Sequence, residues 1–194
     1  MNLKDFCFTE DWTLFLDRDG VISIRLPDDY VRSWDEFKFM EGVTEALKIL
    51  GSIFGRIIIV SNQQGVGKGM MTEQELQEID KKMKLEIGNS GGRIDASFYC
   101  TCLVSENDPD RKPGTGMGLK AKAAFPEIDF NRSVMVGDSP SDMEFGKRLG
   151  MVTVLIGPEG NSNEMADFCF QALIDFSTAI RQQAGDFEPF ELLK

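Results

Sequence analysis

No histidine occurs among the 194 residues of this sequence. This absence removes the commonest general base of enzymes, and with it the Ser-His-Asp and Cys-His catalytic groups and every metal site built on imidazole. Acid-base chemistry in this chain must therefore come from carboxylates, lysine, tyrosine or cysteine.

Basic residues are few: 21 Lys and Arg stand against 32 Asp and Glu, a formal net charge of -11. This charge repels nucleic acid and anionic membranes, so we expect neither as a partner. No apolar run reaches the roughly 18 residues of a membrane span, and the polar N-terminus lacks a signal-peptide segment, so we expect a cytoplasmic protein. Without a secretion signal, the four cysteines are better explained as reduced thiols or metal ligands than as disulfides.

The composition, 42% apolar and 27% charged, is typical of one soluble domain, which we expect to span residues 1–194 as a monomer or weak homodimer. Short apolar runs alternate with helical patterns along the chain. This alternation predicts an α/β fold with a doubly wound parallel sheet and helices on both faces. The predicted strands are residues 14–16, 57–60, 94–99, 133–136 and 152–156.

Two carboxylates follow the first predicted strand. Asp17 and Asp19 lie two residues apart, so in an extended chain they point the same way, at the sheet edge where open α/β folds bind ligands. Converging carboxylates are tolerated when a divalent cation neutralises them or when one of them carries a proton for catalysis. The alternative is a strand that ends in an ordinary Asp19-Gly20 turn.

Other predicted strand ends are polar as well. Ser61, Asn62 and Gln63 follow the second strand, and a glycine-rich stretch at 65–69 then offers backbone N–H groups that suit phosphate. This stretch is not a Walker A loop, because Asn62 stands where a glycine is needed and Gly69 follows Lys68 where Ser or Thr is required.

The fourth strand ends at Gly137-Asp138, and Asp142 lies in the first turn of the next helix. Lys112, held out of the helical region by Pro113, is expected to face the same edge, although a solvated lysine is the simpler alternative. Residues 21–39 show no periodicity, which indicates either a flap over the site or a surface loop with packed aromatics. A capping box at Thr72 predicts a helix to about Ile87 with an apolar core stripe.

The chain resembles the haloacid dehalogenase superfamily of phosphohydrolases, and within it the heptose 1,7-bisphosphate phosphatases and the related histidinol-phosphate phosphatases. The likeness covers roughly residues 13–156. It rests on Phe15-Leu16-Asp17-Arg18-Asp19-Gly20, Tyr30-Val31, residues 37–43, Ser61-Asn62-Gln63, Arg111-Lys112-Pro113 and Met135-Val136-Gly137-Asp138. The resemblance implies a Rossmann-like fold without a large cap domain, and a role in carbohydrate metabolism toward lipopolysaccharide precursors.

The resemblance also implies a mechanism. Asp17 would attack phosphorus to form an aspartyl-phosphate, and Asp19 would act as general acid and base. Mg²⁺ would be bound by the carboxylates of Asp17 and Asp138 and the backbone carbonyl of Asp19.

The remaining implied roles concern phosphate and the surroundings of the catalytic groups. Ser61, Asn62 and Gln63 with Lys112 would bind the transferring phosphoryl group, while Asp142 and Ser139 would orient their neighbours. Arg18, Lys68 and Arg111 would meet a second phosphate, unless they are simply solvated on the surface.

One departure concerns zinc. The heptose bisphosphate phosphatases typically bind a structural zinc through a Cys-x-His pair and a Cys-x-Cys pair before Arg-Lys-Pro. This chain offers Cys100 and Cys102 for the first pair, but Asp108 and Asp110 stand at the positions of the second. A Cys2Asp2 set would be unusual for structural zinc, so we expect none.

The predicted function is therefore a Mg²⁺-dependent phosphomonoester hydrolase acting on a sugar bisphosphate. The alternatives are a phosphatase of histidinol phosphate or another small metabolite, a phosphotransferase, a DNA 3'-phosphatase, and a non-catalytic phosphate-binding protein. The acidic surface disfavours the DNA substrate. A binding protein would be expected to lack Asp17 or Asp19.

Overall fold

Six parallel strands form one sheet in the computed structural model, which describes residues 2–26, 29–158 and 164–186. The strands are β1 (Thr13–Leu16), β2 (Arg56–Asn62), β3 (Ala96–Cys100), β4 (Ser133–Gly137), β5 (Val152–Ile156) and β6 (Phe168–Phe170). Their order across the sheet is β3-β2-β1-β4-β5-β6. The strand order reverses beside β1, and ligands bind at such a point in open α/β sheets.

Six helices accompany the strands: α1 (Val43–Gly51), α2 (Gln64–Gly67), α3 (Glu73–Asn89), α4 (Gly116–Ala124), α5 (Pro140–Leu149) and α6 (Leu173–Asp186). Short 3-10 turns lie at Leu3–Asp5, Val104–Glu106 and Phe130–Arg132. None of the helices among the described residues is both long and apolar enough to cross a membrane.

The strand side chains alternate between two cores, one on each face of the sheet. In β1, Leu14 and Leu16 pack into the core that holds the apolar faces of α1, α3 and α6. Phe15 points the other way, into the core formed with α4 and α5. Because both faces are covered, β1 is buried throughout, which explains why its sequence is a continuous apolar run.

The predicted doubly wound sheet is confirmed, with two differences. The edge strand β6 was not predicted, since three residues with the exposed Cys169 at their centre are too short for a pattern. The glycine-rich stretch is not an open loop, because it forms the single-turn helix α2. Its N–H groups from Val66 to Gly69 donate to backbone carbonyls, so they are not free for phosphate.

Other expectations are confirmed. Helix α3 begins after the Thr72 capping box, and its predicted stripe of Leu76, Ile79, Met83 and Ile87 is buried. The loop at 21–39 combines both interpretations, since Trp34, Phe37 and Phe39 stack together while residues nearer its start line the pocket described below. Pro27 and Asp28 lie outside the described residues, and a single domain over residues 1–194 stays a prediction.

Candidate active site

A polar cavity of about 420 Å³ lies beside the ends of β1, β2 and β4. The carboxyl ends of parallel strands share one edge of a sheet, which brings together residues that are far apart in the sequence. The predicted site residues that line it are Asp17, Asp19, Ser61, Asn62, Lys68, Arg111, Lys112, Asp138, Ser139 and Asp142.

Lys112 is the fixed cation of this cavity. Its side chain is 1% exposed, and its Nζ lies 3.1 Å from Asp17 Oδ1 and 2.6 Å from Asp142 Oδ1. Nζ also donates to the backbone carbonyl of Val60 at 2.7 Å. Burial alone would lower the pKa of Lys112, but Asp142 and Asp17 raise it above its ordinary value, so Lys112 is charged and is not a solvated surface lysine.

The three carboxylates outnumber this cation. Oxygens of Asp17, Asp138 and Asp142 lie within 4.8 Å of one another. Burial raises the pKa of Asp17 to about 7, with Lys112 opposing the shift. Burial and the nearby Asp142 likewise raise the pKa of Asp138. Hard oxygen ligands that repel one another in this way fit a divalent cation such as Mg²⁺.

Glycines let these groups approach one another. A Cβ on Gly20, whose φ is +94°, would lie 2.1 Å from Asp138 Oδ2, and one on Gly137 would lie 2.2 Å from the Cβ of Asp142. Any larger side chain at either position would push a carboxylate out of place. Gly20, after β1, and Gly137, the last residue of β4, are therefore steric requirements of this arrangement.

Asp142 and Ser139 hold the start of helix α5. The Oδ2 of Asp142 accepts from the backbone N–H of Ser139 at 3.1 Å and from its hydroxyl at 2.6 Å. Oδ1 of this fully buried residue accepts no hydrogen bond from the described part of the chain but is ion-paired with Lys112 at 2.6 Å. This arrangement suits the orienting role that the resemblance implies for both residues.

Arg18 requires a correction. The sequence suggested that it meets a second phosphate, but its side chain is fully buried and outside the cavity. It donates to Asp19 through Nε at 3.0 Å and Nη2 at 2.9 Å, and to Gln63 Oε1 at 2.9 Å. Burial opposes ionisation of Asp19, yet Arg18 lowers its pKa overall.

Gln63 and Asn62, both predicted to bind phosphate, form hydrogen bonds within the protein, and Asn62 also lines the cavity. Gln63 is 1% exposed, and its amide donates to Asp19 and Ser61 at 2.8 and 3.1 Å. The Asn62 side chain donates to the Lys112 carbonyl at 3.1 Å and accepts from the Lys112 N–H at 3.0 Å. Because these polar ends already have protein partners, the two side chains position Asp19 and Lys112.

Lys68 and Arg111 belong to the wall of the cavity formed by the loops. Lys68 Nζ lies 5.2 Å from the ring centre of Tyr30, whose hydroxyl accepts from Gln64 at 2.9 Å. The guanidinium of Arg111 donates to the Cys102 carbonyl at 3.2 Å.

Sequence reasoning missed several other lining residues, namely Arg25, Leu26, Asp29, Tyr30, Val31, Gln64 and Ser141. The first five belong to the loop suspected to cover the site. An aperiodic loop gives no signal of which side chains point inward.

The segment from Cys100 to Asp110 contains three possible metal ligands, since the ligand atoms of Cys100, Cys102 and Asp108 lie within 4.8 Å of one another. Asp110, the fourth residue of the suspected set, is ion-paired with Lys120 instead. The Cys102 thiol donates to Asp108 at 3.3 Å, and this bond raises its pKa, which favours the protonated thiol over a metal-binding thiolate. The residues therefore do not fit a four-ligand zinc site.

Comparison with known proteins identifies the family. Residues 110–168 match the HAD-hydrolase-like family model. The chain is 34% identical over 180 residues to a D-glycero-alpha-D-manno-heptose-1,7-bisphosphate 7-phosphatase of Mycobacterium tuberculosis, covering 90% of this chain and 94% of the relative. It belongs to the HAD family of phosphatases.

Further relatives of this HAD phosphatase agree. A D-glycero-beta-D-manno-heptose-1,7-bisphosphate 7-phosphatase of Rhodopseudomonas palustris is 36% identical over 145 residues, covering 71% of this chain and 78% of the relative. The structure of D,D-heptose 1,7-bisphosphate phosphatase from B. bronchiseptica complexed with magnesium and phosphate matches with a TM-score of 0.80, over 89% of this chain and 99% of that one. At 24% identity, the likeness to this solved structure shows that the two proteins share a fold.

Proposed function

We propose that this phosphatase hydrolyses a sugar bisphosphate through an aspartyl-phosphate on Asp17, in the manner of a heptose 1,7-bisphosphate 7-phosphatase. The observation that carries the proposal is the buried Asp17 carboxylate, 3.1 Å from Lys112 and grouped with Asp138 and Asp142. This group supports the proposal because a carboxylate that could attack phosphorus, a buried cation and anionic oxygens suited to a metal share one cavity.

In the first half of the reaction, a carboxylate oxygen of Asp17 attacks phosphorus as the bond to the leaving oxygen breaks. Asp19 gives its proton to the departing alkoxide. Arg18 keeps Asp19 ionised in the free enzyme, so Asp19 takes up this proton when the anionic substrate arrives and raises its pKa.

In the second half, Asp19 removes a proton from water while the water oxygen attacks phosphorus. The bond from phosphorus to Asp17 breaks, which returns the carboxylate and releases inorganic phosphate. Lys112 and the Ser61 hydroxyl stabilise the negative charge that develops on the phosphoryl oxygens. Mg²⁺, bound by Asp17, Asp138 and the Asp19 carbonyl, would supply Lewis-acid charge stabilisation.

The substrate class rests on the relatives' names and on two cations of the cavity that have no ion-pair partner among the described residues. Lys112 serves the reacting phosphoryl group, whereas Lys68 and Arg111 line the same cavity and lack an ion-pair partner among the described residues. A second phosphate of the substrate would pair with them. The same cations disfavour histidinol phosphate, because its ammonium group would meet like charges.

The test is a turnover screen with Mg²⁺ over sugar bisphosphates, the matching monophosphates, histidinol phosphate and nucleotides. We expect the highest kcat/KM for a heptose bisphosphate. Equal kcat/KM for a bisphosphate and its monophosphate, or a preference for histidinol phosphate, would reject the proposed substrate. Neither result would contradict the proposed aspartyl-phosphate chemistry.

A further inference from the structure

Arg25, in the loop after β1, contacts Asp138, one of the proposed metal ligands of the cavity. The backbone just before it is anchored, because Ser23 bridges to Phe39 and the N–H of Ile24 donates to the Lys38 carbonyl at 2.8 Å. The Arg25 side chain lines the cavity, and its Nη1 donates to Asp138 Oδ2 at 3.0 Å. Arg25 therefore has a defined starting point and a specific partner.

Asp138 depends on Arg25 for its counter-charge. The Lys112 ammonium donates to the Val60 carbonyl and is ion-paired with Asp17 and Asp142, but it forms no ion pair with Asp138. Among the described residues, the only ion pair of Asp138 is the one with Arg25.

The two cations of the site differ in how easily they can move. The Lys112 side chain is 1% exposed, whereas that of Arg25 is 61% exposed. Removing Lys112 would leave buried carboxylates unpaired, which is costly. The guanidinium of Arg25 can return to water at little cost, since exposed ion pairs contribute little to stability.

A divalent cation and Arg25 need the same oxygens. Mg²⁺ binds carboxylate oxygens at about 2.0–2.1 Å, and a guanidinium hydrogen-bonded to the same carboxylate would be repelled by the added double charge. Binding of the ion to Asp138 should therefore break or weaken the Arg25 contact.

We propose that Arg25 is a displaceable counter-cation of Asp138, which neutralises this carboxylate in the metal-free protein and competes with the divalent metal for it. This inference rests on the proposed role of Asp138 as a metal ligand. It assigns Arg25 a function that no sequence pattern indicates. Arg25 lowers metal affinity, and metal binding releases its side chain from Asp138.

The test measures Mn²⁺ binding directly by calorimetry on metal-free protein without substrate, at fixed ionic strength. Arg25→Ala should bind Mn²⁺ about two- to tenfold more tightly than the wild type, and Arg25→Lys should fall between them. The matched control is Arg132→Ala, which removes the same charge from the opposite edge of the sheet. Arg132 pairs with Asp11, and neither residue lines the cavity, so the dissociation constant of this variant should stay within about twofold of the wild-type value.

The proposal is overturned if Arg25→Ala binds Mn²⁺ no more tightly than Arg132→Ala, or more weakly than the wild type. Asp138→Asn separates this result from a failure of the proposed function. If Asp138→Asn binds Mn²⁺ as well as the wild type, Asp138 is not a metal ligand, and both proposals fall. If it loses binding while Arg25→Ala is unchanged, only the role of Arg25 is rejected.

Discussion

Arg18 donates to both carboxylate oxygens of its neighbour Asp19, from Nε at 3.0 Å and from Nη2 at 2.9 Å. The guanidinium is fully buried, whereas the Asp19 side chain is 26% exposed toward the cavity. Asp19 therefore serves as the counter-ion of a buried cation and as the proposed acid-base group. Replacing Asp19 should therefore affect both the stability of the fold and the proposed reaction.

This pairing predicts that Asp19→Asn loses stability as well as turnover. Breaking a buried ion pair by removing one partner typically costs about 3–5 kcal/mol, because the remaining charge is left uncompensated. Since Gln63 still accepts one hydrogen bond from Arg18, we expect a decrease of about 3 kcal/mol in the free energy of unfolding. Urea denaturation measures it, and a variant as stable as the wild type would contradict the role of Asp19 as counter-ion.

Asp17→Asn should lose turnover without losing stability. Turnover should be lost, because the covalent route disappears and each ~1.4 kcal/mol of barrier is a factor of ten in rate. Stability should be kept, since Lys112 retains Asp142 and the Val60 carbonyl as partners. Steady-state kinetics and urea denaturation check the two halves. More than about a tenth of wild-type kcat would sink the assignment of Asp17 as nucleophile.

The pH dependence of stability offers a third test. Burial raises the pKa of Asp17 from 3.8 to about 7, so the folded chain binds more protons than the unfolded chain between these values. The contribution of Asp17 to the free energy of unfolding therefore falls as pH rises from about 4 to about 7, by at most about 1.4 kcal/mol per pH unit. In a chelator, Asp17→Asn should gain stability relative to the wild type over this window. A constant difference between the two proteins would contradict the shifted pKa.

The sheet could be predicted because its strands are buried on both faces, which leaves continuous apolar runs such as Leu14-Phe15-Leu16. The site could be predicted in part because parallel strands bring their carboxyl ends to one edge. This rule places Asp17, Ser61 and Asp138 together, although they are distant in the sequence.

The directions of side chains could not be predicted in the same way. Arg18 alternates with Asp17 and Asp19, and a pattern of charges does not reveal that it turns inward to pair with its neighbour. Arg25 and Tyr30 lie in an aperiodic loop, where orientation depends on contacts such as the bridge from Ser23 to Phe39. These contacts form only in the folded chain.

A fourth prediction concerns zinc. Because Asp110 is paired with Lys120 and Cys102 donates to Asp108, the loop that carries Arg111 and Lys112 is held without a fourth metal ligand. The purified protein should contain no stoichiometric zinc, and a zinc-selective chelator should leave its Tm unchanged. Elemental analysis and thermal denaturation test this, and one tightly bound zinc per chain would refute it in favour of a Cys2Asp2 site.

The last prediction concerns capture of the second phosphate. Lys68 and Arg111 line the cavity without an ion-pair partner among the described residues, whereas Lys112 is committed to the reacting group. Lys68→Ala and Arg111→Ala should each lower kcat/KM for a bisphosphate by about tenfold, chiefly through KM, as expected when a charged hydrogen bond of about 1.5 kcal/mol is lost. The matching monophosphate should change far less, because it has no group at that end of the cavity.

Arg132→Ala is the matched control for these two variants. Arg132 directly precedes β4, at the opposite edge of the sheet, and is ion-paired with Asp11. Its removal changes net charge equally, so its kcat/KM ratio between bisphosphate and monophosphate should equal that of the wild type. If Lys68→Ala and Arg111→Ala reduce both substrates to the same extent, the two residues support the cavity without contacting a second phosphate.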